Sequence, residues 1–379
     1  MRRTLALWLL LFGVYAATLG LDAARNSEYA GHEPRYLAGV ESLTDDHKVT
    51  VSDQPYGIGF PLLLVPAHVV GGEDAVELFL AAIAALALAL AYRLALRVVP
   101  DPWALGAAAA VGVSPPLLAY STAVYPDASA AAALAGAALL AVRLDERPRL
   151  RAGFGCFALL GALPWLGPQF VPAGLVIGVV AARGLWRSRR RTLAIGSVEV
   201  ALFSVALYVG INEALYDGPT PSSAEGANAT GASSAADYLE RAYRLGALLV
   251  DPDYGLLRWA PVFALAFAGL WWLRRSRHDR LAQAIPQIHR IELTAGLCAA
   301  AVGAQLVVAA FLAPTVAGAW FPGRHLVAAL PLAVPLVAWG LRHAPRVGTA
   351  LAVLTLALSV WLYVDVRWSG GFLAGPSVP

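Results

Sequence analysis

Residues 75–97 read AVELFLAAIAALALALAYRLALR, and the reading of this stretch decides the fold. Its one acid, Glu77, lies near the start, its two arginines, Arg93 and Arg97, lie at the end, and nothing between them is charged. As a helix the stretch extends about 35 Å, enough to cross a hydrocarbon layer of about 30 Å. A helix also satisfies its own backbone polar groups, which lipid cannot do. Working outward, comparable apolar runs cover 4–21, 103–120, 127–143, 152–166, 168–184, 193–212, 255–273, 291–313, 322–341 and 346–364. The whole chain is 59% hydrophobic and 14% charged, with mean hydropathy +0.63 over 379 residues, whereas soluble domains carry about 25% charged residues. The expectation is an all-α polytopic membrane protein of about eleven transmembrane helices, a single domain over 1–379 with no sizeable soluble part.

Arginine placement orients the bundle, because cytoplasmic loops collect basic residues. Of the 28 basic residues all but Lys48 are Arg, a bias we read as genomic base composition. With the N-terminus cytoplasmic, twenty of them fall on the inner side. They run from Arg2 and Arg3 through Arg93 and Arg97, the groups around Arg147, Arg189 and Arg277, to Arg342 and Arg346. Shifting the count by one helix would put several of these groups on the wrong side. The N-terminal run has small residues from Ala17 to Ala24 that a signal peptidase accepts, but its length favours a retained anchor. The expected location is the plasma membrane of a prokaryote.

Composition excludes other classes. A nucleic-acid binder needs a basic face interleaved with aromatics, and none is present. Cys156 and Cys298 lie inside apolar runs, with neither a disulfide framework nor a metal-ligand spacing. Intramembrane polar residues are few, chiefly Glu199, Glu292 and Gln305, and no internal repeat is visible, which argues against a duplicated transporter.

Polar content gathers instead in two outer segments, 22–74 and 213–254. The first holds Gly31-His32-Glu33-Pro34-Arg35-Tyr36-Leu37, then an apolar stretch from Gly57 to Gly71-Gly72 that is too short to span and reads as an interfacial helix. The second opens on Asp217-Gly218-Pro219, continues through a Ser/Ala/Gly-rich patch with the glycosylation-like Asn228-Ala229-Thr230, and closes on Asp251-Pro252-Asp253. Glu33, Glu41, Asp45, Asp46, Asp127, Asp217, Asp251 and Asp253 share the outer side with Arg35, Arg258 and Arg324. Carboxylates and guanidinium groups in one outer cavity could activate a hydroxyl and neutralise a leaving phosphate.

The order of motifs resembles the GT-C superfamily of integral-membrane glycosyltransferases, which includes protein O-mannosyltransferases and the aminoarabinose transferase of lipid A. The acidic motif of the first outer loop corresponds to Gly31–Leu37, and a Gly/Pro-bearing interfacial helix to Gly57–Gly72. A Ser-Pro turn and a helix-opening Pro-Asp correspond to Ser114-Pro115 and Tyr125-Pro126-Asp127. A late outer segment corresponds to Trp320-Phe321-Pro322-Gly323-Arg324-His325-Leu326. The resemblance implies inverting transfer of a sugar from a polyprenyl-phosphate donor to a hydroxyl of a lipid, glycan or protein on the outer face. It makes Glu33 the general base; His32 beside it could orient Glu33, share its proton or contribute to a metal site, and Asp127 is a further candidate, for a supporting or acceptor-binding role. Arg324 stands first for the phosphate, with His325, Arg258, Arg35 and Tyr36 as further substrate-binding residues. Relatives often have an acidic pair where this chain has His32 and Glu33. No cofactor is certain; a divalent cation and a partner protein for acceptor recognition are left open.

Each assignment has a structural alternative. Glu33 and Asp127 sit where acids favour helix N-termini, Arg324 where a long side chain snorkels to the interface, and Asp251 and Asp253 where turns are capped. His68 reads as a packing residue, and Trp165, Trp271, Trp272 and Trp320 as an interfacial belt. Two other functions stay open as well. One is a transporter or flippase of a lipid-linked substrate; the other is a non-catalytic scaffold of a cell-envelope complex.

Overall fold

The computed structural model describes residues 2–19, 33–45, 57–188, 191–221, 231–232, 234–277, 288–316 and 321–369. The expectations placed on His32, Asp46, Asn228 and Trp320 lie outside these residues. The described residues form helices and no strand. In order they are α1 (Arg2–Ala16), α2 (Glu33–Thr44), α3 (Gly59–Ala95), α4 (Trp103–Gly112), α5 (Pro115–Ala119), α6 (Asp127–Glu146), α7 (Leu150–Leu166) and α8 (Val171–Arg187). There follow α9 (Arg191–Tyr216), α10 (Ala235–Glu240), α11 (Arg244–Val250), α12 (Leu256–Trp259), α13 (Ala264–Arg275), α14 (Ile288–Phe311), α15 (Leu330–His343) and α16 (Pro345–Ser369).

Seven stretches among the described residues are long and apolar enough to cross a membrane: α3, α6, Pro168–Arg187, α9, α14, Arg324–His343 and Pro345–Trp368. The other four expected spans fall on shorter helices. Proline explains two of these. Ser114 is extended (ψ 147°) before Pro115-Pro116, which parts α4 from α5. Ala260 leaves the helical region (φ −137°, ψ 70°) before Pro261, which parts α12 from α13. A residue ahead of proline is disfavoured in the α region.

Within α3 the helical path breaks at Gly71 and Gly72, and Gly72 has φ 65°, a conformation that strongly favours glycine. The break divides a membrane-crossing half from a short arm that buries Phe60 and Leu64 while Leu62, Val69 and Val70 stay exposed. Such a one-sided arm suits the membrane interface.

Within the membrane the layers differ in burial. The apolar windows of α6 and Arg324–His343 are 83% and 89% buried, against 17% and 22% for α9 and Pro345–Trp368. The first two are therefore central and the last two peripheral, facing lipid. α13 crosses α15 at glycine: a Cβ on Gly269 would collide with the Leu336 carbonyl, and one on Gly340 with the Leu265 carbonyl. Small residues permit this close backbone approach, the main source of helix affinity where lipid is as apolar as the side chains.

The segment 213–254 contains structure that the sequence reading did not anticipate. Ser234 caps α10, accepting from the Asp237 N–H (3.3 Å) while Asp237 accepts from the Ser234 N–H (3.0 Å). Arg241 and Arg244 then donate to the carbonyls of Phe311 and Ala313, each at 2.9 Å, so α10 and α11 are tied to the end of α14.

Candidate functional site

α3 and α6 both run between the two ends of the bundle, and the site lies where α6 begins. Glu33 is the first residue of α2, with Pro34 in the next position, where its missing N–H costs nothing. Its side chain is 1% exposed, and Oε1 accepts from the Val124 N–H at 2.7 Å. This bond pins the start of α2 to the turn that precedes Asp127, 94 positions along the chain.

One turn after Glu33, Tyr36 meets Phe60 and Tyr125 edge-to-face, with ring centroids 5.0 and 6.4 Å apart. Tyr120 packs on Tyr125 at 6.0 Å and donates its hydroxyl to the Phe321 carbonyl at 2.6 Å. Phe321 in turn packs on Trp259 at 5.2 Å. These rings knit the starts of α2, α3 and α6 to the chain ahead of α15.

Arg324 enters from that last segment. Gly323, with φ 87°, turns the chain immediately before it, a left-handed conformation that favours glycine. The Arg324 Cζ then sits 4.1 Å above the centre of the Tyr125 ring. A cation over an aromatic face is stabilised by about 0.5–2 kcal/mol, so the ring fixes where the guanidinium rests. Asp127 opens α6, is buried at 6% exposure, and is within electrostatic range of Arg324. Tyr120 is within range of Glu33, Asp127 and Arg324 together. A carboxylate at a helix N-terminus is favoured by the helix dipole, and Asp127 has this in addition to the nearby cation.

The structure thus brings four expected residues together: Glu33, Tyr36, Asp127 and Arg324. His325 is adjacent but engaged elsewhere, its Nε2 3.0 Å from the Thr315 carbonyl, and its own carbonyl accepts from Gln305 Nε2 at 3.1 Å. That bond gives the Gln305 amide nitrogen inside α14 a partner, while its buried Oε1 has none among the described residues. Arg258 is exposed and lies over Trp259 at 5.8 Å, which puts it at the rim through Phe321. Arg35 is exposed on the first turn of α2. Asp251 accepts from the Asp253 and Tyr254 N–H groups at 2.8 and 3.3 Å, forming a turn. Among the described residues no three His, Cys, Asp or Glu side chains group to hold a metal ion. The aromatic frame of Tyr120 and Tyr125 was missed in the sequence. Tyr125 abuts Pro126-Asp127, but no spacing rule marks it as the seat of an arginine 199 positions away.

No protein-family model matches the sequence, and no curated protein matches it. Among solved structures, the oligosaccharyltransferase of Archaeoglobus fulgidus, determined in the apo form, is similar with a TM-score of 0.51 and 14% sequence identity. The alignment covers 99% of this chain and 56% of that one, so the chain spans little more than half the length of its structural neighbour. At this identity the likeness is one of fold. The chain is an integral membrane protein with the GT-C fold.

Proposed function

We propose that the protein is a glycosyltransferase that moves a sugar from a polyprenyl-phosphate donor to an acceptor hydroxyl at the outer face of the membrane. The observation that carries this reading is the meeting of Glu33, Asp127 and Arg324, from three distant parts of the chain, in one enclosed cluster. In a single in-line displacement the acceptor oxygen attacks the anomeric carbon as the sugar–phosphate bond breaks. Glu33 takes the hydroxyl proton, a transfer that requires an approach of about 3 Å. Arg324 neutralises the departing phosphate through the edge of its guanidinium fork. Asp127 holds Arg324 in place and lies second for the base. Because Glu33 is enclosed, the acceptor reaches it as the start of α2 shifts on binding. None of these roles is assigned through a metal.

The test has two parts. Cells lacking the protein are expected to accumulate one polyprenyl-phosphate sugar, seen by mass spectrometry of extracted lipids, and the wild-type gene to clear it. Glu33→Gln keeps an oxygen acceptor for the Val124 N–H but cannot take a proton. It should therefore fold normally and fail to clear the lipid, with turnover down about 10²–10⁴-fold. Glu33→Ala should also lose stability, by about 1–3 kcal/mol, because the Val124 donor is left unpaired. Full clearance by Glu33→Gln would reduce Glu33 to an anchor of the Val124 turn and favour the reading as a scaffold.

A further inference from the structure

The other end of the bundle holds a pocket of about 590 Å³ into which six arginines converge: Arg2, Arg3, Arg93, Arg97, Arg143 and Arg290. They come from the start of α1, the end of α3, the last turns of α6 and the start of α14. Basic residues at this end also serve to orient a membrane protein. That role requires them in loops; it does not require four helices to aim them into one concavity.

The charge there is only partly answered. Asp101 accepts from Arg3 at 2.7 Å and from the Tyr92 hydroxyl at 2.8 Å. Glu146 pairs with Arg97 and, at 3.1 Å, with Arg290. Among the described residues Arg2, Arg93 and Arg143 make no ion pair; Arg143 is near enough to Arg93 to be repelled and near enough to Glu146 to be attracted. Arg97 is 8% exposed, and although its Nη2 reaches Glu146, its buried Nε has no hydrogen-bond partner among the described residues. A buried donor without a partner is costly. A fork with an unused N–H fits a bidentate oxyanion. Leu96 and Leu139 complete the wall and offer apolar surface beside the charges.

From this geometry we infer that the pocket binds a phosphate group, held by the forks of Arg93, Arg97 and Arg143. Basic pockets between transmembrane helices recognise the headgroups of anionic phospholipids in this way, and a free phosphate offers the same chemistry. The site is separate from the proposed transfer chemistry, about 24 Å away along α6 from Asp127 to Arg143, so binding is read without measuring sugar transfer.

The experiment uses the full chain in detergent with three probes: phosphatidylglycerol, phosphatidylcholine and inorganic phosphate. Binding is read by native mass spectrometry and by the shift in melting temperature. Phosphatidylglycerol is expected to bind at least tenfold more tightly than phosphatidylcholine. The Arg93→Gln/Arg143→Gln variant is expected to lose that preference, and Arg93→Lys/Arg143→Lys to keep only part of it, because charge remains while the fork geometry is lost. Arg2→Gln, at an exposed position, should weaken binding by a few fold even if the double glutamine variant does not fold. Competition by inorganic phosphate would mark a free phosphate as the ligand; binding of phosphatidylglycerol without competition would mark the lipid headgroup. The proposal is overturned if neither anionic probe, phosphatidylglycerol or inorganic phosphate, binds better than zwitterionic phosphatidylcholine, or if folded glutamine variants bind as wild type does.

Discussion

Arg324 owes its position to its neighbours more than to its own helix. Gly323 turns the chain, Tyr125 supplies the ring beneath the guanidinium, and Asp127 supplies the opposing charge. A side chain turned by its own segment and held by the Tyr125–Asp127 segment is pre-organised for a planar, bidentate partner. Arg324→Ala should raise the KM for the polyprenyl-phosphate sugar and lower kcat, together about 10²–10³-fold in kcat/KM, with the acceptor KM changed far less. Arg324→Lys should recover part of the loss, because charge remains while the fork is gone. A loss confined to the acceptor KM would sink the phosphate assignment. At this scale the sequence was informative about charged residues and nearly silent about the aromatic ones. Glu33, Asp127 and Arg324 stand out in an apolar chain by their chemistry alone. The seat that Tyr125 offers, and the bond from Val124 to Glu33, depend on contacts between segments roughly 90 to 200 residues apart, which no local pattern encodes.

At the scale of elements, hydropathy located the apolar helices, since lipid demands an apolar surface over a full span, although only seven stretches among the described residues are long and apolar enough to cross. The positions where helices break were less legible. Pro115-Pro116 and Pro261 lie within apolar runs, and hydropathy passes over them although backbone sterics do not. α10 and α11 were hidden for the opposite reason: they are short, polar on several faces and held by Arg241 and Arg244 to carbonyls of α14. The role of glycine differs from helix to helix. Gly340 meets the backbone of α13, whereas Gly296 in α14 has nothing within 4 Å of a built Cβ. Gly340→Ala forces two helices apart and should cost about 1–3 kcal/mol. Gly296→Ala adds a methyl in open space and should be neutral or stabilising by up to about 1 kcal/mol. Thermal unfolding of both variants in the same detergent checks this; equal effects would mean that the α13–α15 crossing is not a tight contact.

For the molecule as a whole, the two ends differ in chemistry, and the difference agrees with the arginine count. Arg2, Arg3, Arg93, Arg97, Arg143 and Arg290 come from segments that the positive-inside reading assigns to one side, and they meet at one pocket. Glu33, Asp127 and Arg324, assigned to the other side, meet where α6 starts rather than where it ends. Two independent properties, loop charge in the sequence and proximity in space, therefore sort the residues into the same two groups. The absolute orientation follows if the arginine-rich end is cytoplasmic. In the sequence Ser188 precedes the long helix α9 (Arg191–Tyr216) and Ser222 follows it. With an impermeant maleimide on intact cells, Ser222→Cys should label fully and Ser188→Cys only after lysis. Cys156 and Cys298 are buried and should stay silent. The reverse pattern would place the carboxylate–arginine cluster in the cytoplasm, where the donor would have to be presented before any flipping step; equal labelling of both would mean that α9 does not cross the membrane.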